Sequence, residues 1–171
     1  GTSLMHLHVN RGKRSLTLDL RTEAGVALAL DLIAAADVAR RYCERPAWIR
    51  GFDHRIDPMH LGARDLSRVP SATVAAQRAG LHDKPIDVAE LHAQFSHEEL
   101  MLTEALGIDP SVTSVNPSGG PLAANVLMGA GLNRIGEVAN AITAGNANRG
   151  VAHISSGPCL QQNMICVLEG E

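Results

Sequence analysis

The run Asn116-Pro117-Ser118-Gly119-Gly120-Pro121-Leu122-Ala123, with the apolar stretch that follows it to Ala144, decides how this chain reads. Residues 112–115 form a short strand-like segment that enters the run, and its prolines and glycines then break any regular element. From about Leu122 to Ala144 most residues are Ala, Gly, Val, Leu, Ile or Met, and only Arg134 and Glu137 carry charge. A helix that is apolar nearly all round is expected to be buried. Glycine inside a helix costs about 1 kcal/mol relative to alanine. Gly129, Gly131 and Gly136 therefore point to close packing against a neighbour. The expectation is a central helix held between two sheets.

Working outward, residues 86–91 alternate polar and apolar side chains, the period of a half-buried strand. Ser96 is in place to cap a helix with Glu98 and Glu99 in its first turn, and Gly107 to stop it. Beyond the long helix, residues 151–154 and 163–168 read as strands. Strands that alternate with helices define an α/β fold class. Further upstream, Ser71 is expected to cap a short helix through Ala79 that Gly80 ends. Residues 46–52 read as a strand ended by glycine, and residues 53–68 show little periodicity. The first forty residues read as a separate unit. Residues 7–9 lead into a turn, residues 15–20 alternate like a strand, and Thr22 caps a helix that runs to about Arg40.

Composition closes off several classes of function. The chain has 171 residues and a net charge of −3, which gives no basic footprint for nucleic acid. With one Trp, one Tyr and two Phe there are few rings on which bases could stack. No uninterrupted run of about 18 apolar residues is present, so no membrane span is expected. Cys43, Cys159 and Cys166 make no disulfide framework. That fits a reducing cytoplasm, and Cys159 and Cys166 read as small buried hydrophobes. His54, His60, Asp53, Asp57 and Asp65 crowd one segment, but their spacing matches no strong ligand motif, and no metal is expected. The sequence opens at Gly1 in a strand-like segment and reads as a fragment.

Two resemblances attach to these motifs. The first covers about residues 1–38. Asn10-Arg11-Gly12-Lys13-Arg14-Ser15-Leu16-Thr17-Leu18-Asp19-Leu20-Arg21 and the helix through Asp37-Val38 resemble the N-terminal region of family III CoA-transferases. That resemblance implies Arg11, Lys13 and Arg14 near a CoA phosphate. The family's nucleophilic aspartate lies further downstream and is not matched here.

The second covers about residues 41–171. Asp87-Val88-Ala89-Glu90-Leu91-His92-Ala93-Gln94-Phe95, the 116–123 run and Val151-Ala152-His153 resemble, in that order, the C-terminal half of the thiolase superfamily. The nearest type is the lipid-transfer or sterol-carrier-like branch. The implied fold is a thiolase-like C-terminal half, layered sheet and helix around a buried Gly/Ala-rich helix. The implied organisation is a fragment at 1–40 and a thiolase-like domain at 41–171.

The resemblance also implies chemistry. His92 matches the Asn or His that orients an oxyanion-hole water. His153 stands in the place of a cysteine near the end of the family's chains. Val126 stands where the family carries the activating His, so that base is missing. The nucleophilic cysteine belongs to the family's other half. His92 and His153 are thus the candidate catalytic residues, and Asn116, Ser118, Gly119 and Gly120 the candidate substrate-binding residues. No cofactor is implied beyond acyl-CoA or CoA as substrate, and the implied partner is a thiolase-type half in an oligomer. A thiolase-like acyltransferase domain, inactive alone, is the first reading. A non-catalytic interaction or scaffold protein is the second, and a CoA-transferase fragment the third.

Overall fold

The computed structural model describes residues 40, 43–58, 60, 62–123 and 129–171. The chain divides into two units, Gly1–Glu44 and Arg45–Glu171. The strand, turn and helix expected before Arg40 lie outside the described residues, as do Arg11, Lys13 and Arg14. The second unit runs β1 (Trp48–Ile56), α1 (Pro70–Arg78), β2 (Val88–Glu90), α2 (Ser96–Ala105), β3 (Ser114–Val115), α3 (Gly120–Ala123), α4 (Ala130–Thr143), β4 (Arg149–Ser156) and β5 (Gln162–Glu169). It is an α/β unit built on one mixed sheet of order β1-β5-β4-β2-β3.

Strands β2, β3 and β4 run parallel, with Val88 opposite both Ser114 and Gly150. Strand β5 turns back antiparallel on β4 and pairs on its far side with β1. Helices cover both faces. On one face α1 and α2 press Ala72, Ala75, Ala76, Leu102 and Leu106 against Ala89, Leu91, Val151, Ile165 and Val167. On the other, Val138 and Ile142 of α4 pack on Val88, Ala152, Cys166 and Leu168. Double coverage explains why residues 165–168 are continuously apolar instead of alternating. Each Leu or Ile so buried contributes about 1.5–3 kcal/mol.

Several local expectations are corrected. The glycine at 51 does not end β1, which continues to Ile56. It sits at a register shift, and a Cβ there would lie 1.9 Å from the Ala79 carbonyl oxygen. Gly51 is therefore the place where the end of α1 touches the sheet. Neither Ser71 nor Ser96 caps a helix: the N-caps are Val69 and Phe95. Pro70 opens α1 instead, with φ already suited to a first turn. Glu98 reaches back past the N-cap to accept the Gln94 amide at 2.8 Å, which ties the entering chain to the first turn. The expected stops hold, with Gly80 at φ 70° and Gly107 at φ 61°.

The long helix differs most from expectation. Residues 124–128 are outside the described set, and α4 itself is half-buried. Ala130, Arg134, Val138 and Ile142 form its buried stripe, while Leu132 is 68% exposed. Among the described residues no second sheet covers it. Its charged Arg134 lies on the buried stripe, the reverse of what amphipathic patterning suggests. Cys159 is also corrected: it is exposed, whereas Cys166 is buried as expected. Among the described residues no helix is long and apolar enough to cross a membrane.

Candidate functional site

The sheet gathers the motif residues at one end. His92 follows β2, and residues 116–120 follow β3, so both leave the carboxyl ends of parallel strands. In open α/β sheets that end is where ligands bind. The neighbouring strand β4 carries His153 and Ser155. The His92 amide donates to the His153 carbonyl at 3.2 Å, which ties the two motif segments together.

Both imidazoles are buried, His92 at 5% exposure and His153 at 0%. His92 Nδ1 sits 3.1 Å from the Ser155 carbonyl oxygen, and Ser155 Oγ donates to the His92 carbonyl at 3.0 Å. Burial pulls the His92 pKa down. Its contact with the Ser155 backbone opposes this, the Arg134 charge adds to it, and Glu98 resists it. His153 Nε2 lies 2.8 Å from Asn163 Oδ1. Burial lowers the His153 pKa to about 4, against the support of Asn163 and with further depression from His92. Both rings are therefore neutral at pH 7. Each has one nitrogen, His92 Nε2 and His153 Nδ1, closed off from solvent with no hydrogen-bond partner among the described residues.

The 116–120 loop is built differently. Asn116 holds φ at 46°, a left-handed value that asparagine tolerates. Its Oδ1 accepts the Leu91 amide at 2.6 Å, its Nδ2 donates to Glu99, and its own amide donates to Ala89. Ser118 donates from its amide and its hydroxyl to Glu90, at 3.1 and 2.7 Å. Arg134 Nη1 donates to both Glu90 at 2.7 Å and Ser118 Oγ at 3.0 Å. Glu90 and Arg134 side chains are each only 1% exposed. A Cβ on Gly119 would meet Ala123 at 2.5 Å, and one on Gly120 would meet Asn116 at 3.1 Å. The polar side chains of Asn116 and Ser118 are thus engaged with the scaffold. What the loop can offer a ligand is its shape and its remaining backbone groups.

Sequence reading missed the residues that hold this site. Glu90 and Arg134 are 44 positions apart. The one available signal was a single arginine in a mostly apolar helix. Asp57 and Ser71 join Asn163 in a second buried chain, with Ser71 Oγ donating to Asp57 at 2.6 Å and Asn163 Nδ2 donating to Ser71 at 2.7 Å. Among the described residues no group of three or more His, Cys, Asp or Glu side chains could hold a metal ion. Val126 lies outside the described residues.

What these elements define is an α/β unit with paired, neutral histidines at the carboxyl ends of its parallel strands. Two comparisons with known proteins match the chain. Residues 1–44 match the model of CoA-transferase family III. A stretch of 105 residues is 31% identical to the beta-ketothiolase BktB of Cupriavidus necator, covering 61% of this chain and 25% of that protein. The chain thus resembles a thiolase, preceded by a short family III CoA-transferase segment, and spans about a quarter of the length of the curated relative it matches.

Proposed function

We propose that residues 41–171 form a thiolase-like acyltransferase domain that binds an acyl-CoA and does not complete a condensation alone. The acyl-CoA would bind at the carboxyl ends of the parallel strands, beside His92, His153 and the loop carrying Asn116, Ser118, Gly119 and Gly120. The observation that carries this reading is the hydrogen bond from the His92 amide to the His153 carbonyl, which joins the two motif segments. A thiolase reaction needs a nucleophile, a base to activate it and donors for the oxyanion. Val126 at the base position cannot move a proton, and groups that act as a unit do not work piecemeal. A partner of thiolase type, in a cytoplasmic oligomer, would supply the nucleophile. Calorimetric titration of the whole chain with acetyl-CoA and acetoacetyl-CoA tests binding, and thiolysis of acetoacetyl-CoA by CoA tests chemistry. The expected result is saturable binding, weakened by His92→Ala, without turnover above background. No binding at millimolar ligand sinks the reading. Turnover at ordinary rates of about 1–1,000 s⁻¹ would overturn its inactive half.

Exposed apolar side chains favour a second reading, a non-catalytic interaction protein. Ile49, Phe52 and Ile56 of β1 are 57–63% exposed, and Leu132 of α4 is 68% exposed. Size-exclusion chromatography of the chain discriminates: dimers or larger species support this reading, and a clean monomer counts against it. A CoA-transferase role would rest on residues 1–44, and transfer of CoA from an acyl donor to a free acid would reveal it.

A further inference from the structure

We propose that Asn163 is a positioning residue that holds His153 as its Nε2–H tautomer, leaving the lone pair on Nδ1. The argument starts at the Leu160 carbonyl, which can only accept. Asn163 Nδ2 lies 2.7 Å from it, so the amino end of the amide points that way. Its oxygen end is then the atom facing His153 Nε2 at 2.8 Å. An acceptor on that side requires a proton on Nε2. A neutral imidazole has one N–H, so Nδ1 keeps its lone pair.

The rest of the chain agrees in sense. The second Asn163 N–H goes to Ser71 Oγ at 2.7 Å, and the Ser71 proton goes to the Asp57 carboxylate at 2.6 Å. Asp57 also accepts the Ser71 amide at 3.2 Å, and the Asp57 amide donates to the Gln161 carbonyl. Every donor from Ser71 to His153 points toward the carboxylate end or is fixed by it. Asp57, Ser71, Asn163 and His153 are all under 8% exposed, so no solvent is at hand to absorb a reversed amide. Flipping Asn163 would set its oxygen against the Leu160 oxygen, and a buried network that is satisfied in one sense resists the other.

The inference rests on the reading above only for its use. In this tautomer the Nδ1 lone pair can accept a hydrogen bond and cannot donate one to a thioester oxygen. Long-range ¹H–¹⁵N NMR of the ¹⁵N-labelled full chain at pH 7 reads the tautomer without any substrate, so a failure of acyl-CoA binding leaves this result standing. The parent should show His153 with a pyrrole-type Nε2 and a pyridine-type Nδ1. Asn163→Leu should bring both nitrogens to averaged shifts. A parent spectrum with the proton on Nδ1 or averaged between the two overturns the proposal. So does a folded Asn163→Leu chain with the unaltered parent pattern. The parent spectrum decides the matter should the leucine variant not fold.

Discussion

Replacing Glu90 by Gln is the sharpest test of how the site is held. The carboxylate is 1% exposed and lies 2.7 Å from the equally buried Arg134. It also accepts two bonds from Ser118. The amide keeps the shape and removes the charge, leaving the guanidinium in the interior without its counter-ion. Removing one partner of a buried pair costs about 3–5 kcal/mol. A domain holds roughly 5–15 kcal/mol in all, so this is about a fifth of the total or more. At an m-value of about 2 kcal/mol/M the urea midpoint should fall by about 2 M. Far-UV circular dichroism across a urea series measures it. The double variant Glu90→Leu with Arg134→Met removes both charges and should recover most of the loss, because an apolar pair has no desolvation cost to offset. A Glu90→Gln chain within about 0.5 kcal/mol of the parent, well below the cost expected for a buried pair, would refute the reasoning. A double variant less stable than the sum of its singles would do the same.

Acid should weaken the fold through His153. Its folded pKa of about 4 lies below the ordinary 6.5, so the unfolded chain takes up the proton first as pH falls. The contribution of the neutral ring is complete above pH 6.5 and is lost between there and about pH 4, up to about 3 kcal/mol. Urea midpoints at pH 7, 5.5 and 4.5 should drop, and His153→Gln should flatten that window; an equal slope in both chains speaks against it. Gly51→Ala places a methyl 1.9 Å from the Ala79 oxygen and should cost about 1–3 kcal/mol in the same unfolding assay, while a neutral effect would mean that α1 and β1 slide apart freely. Burial raises the Cys166 thiol to about 11, and Cys159 is exposed. A disulfide reagent at neutral pH should therefore modify Cys159 quickly and Cys166 only after denaturation, with Cys159→Ser removing the fast phase. Rapid labelling of native Cys166 would contradict the packing.

Strands and helix stops were legible because their signals are local. Alternation at 86–91 and glycines at 80 and 107 act within a few residues of themselves. The 116–120 loop was equally plain, since Asn, Pro and Gly leave few backbone choices. Function at its level of detail was less so. His92 and His153 were singled out by motif, yet their state depends on Ser155 and Asn163, which no spacing rule connects to them. Helix α4 shows the limit most clearly. Composition says that the helix is apolar, but only the i, i+4 stripe through Ala130, Arg134, Val138 and Ile142 says which side is buried, and Glu90 decides that an arginine can sit there. The serines at 71 and 96 carried a true preference for helix starts. Pro70 and the reach of Glu98 met that need first, and Ser71 went to Asp57 instead.

The position of β5 has a consequence for how the chain is made. It is the last of the five strands to leave the ribosome, yet it lies inside the sheet, between β4 and β1, with Trp48 paired to Glu169. A nascent chain that stops before Gln162 presents β1 and β4 with no strand to join them. Closing the sheet then waits for synthesis of the final strand, and such distant pairings are slow to form. During that interval the free edges of β1 and β4 are open to any other strand, which makes the growing chain, more than the finished one, the form that a chaperone would need to guard.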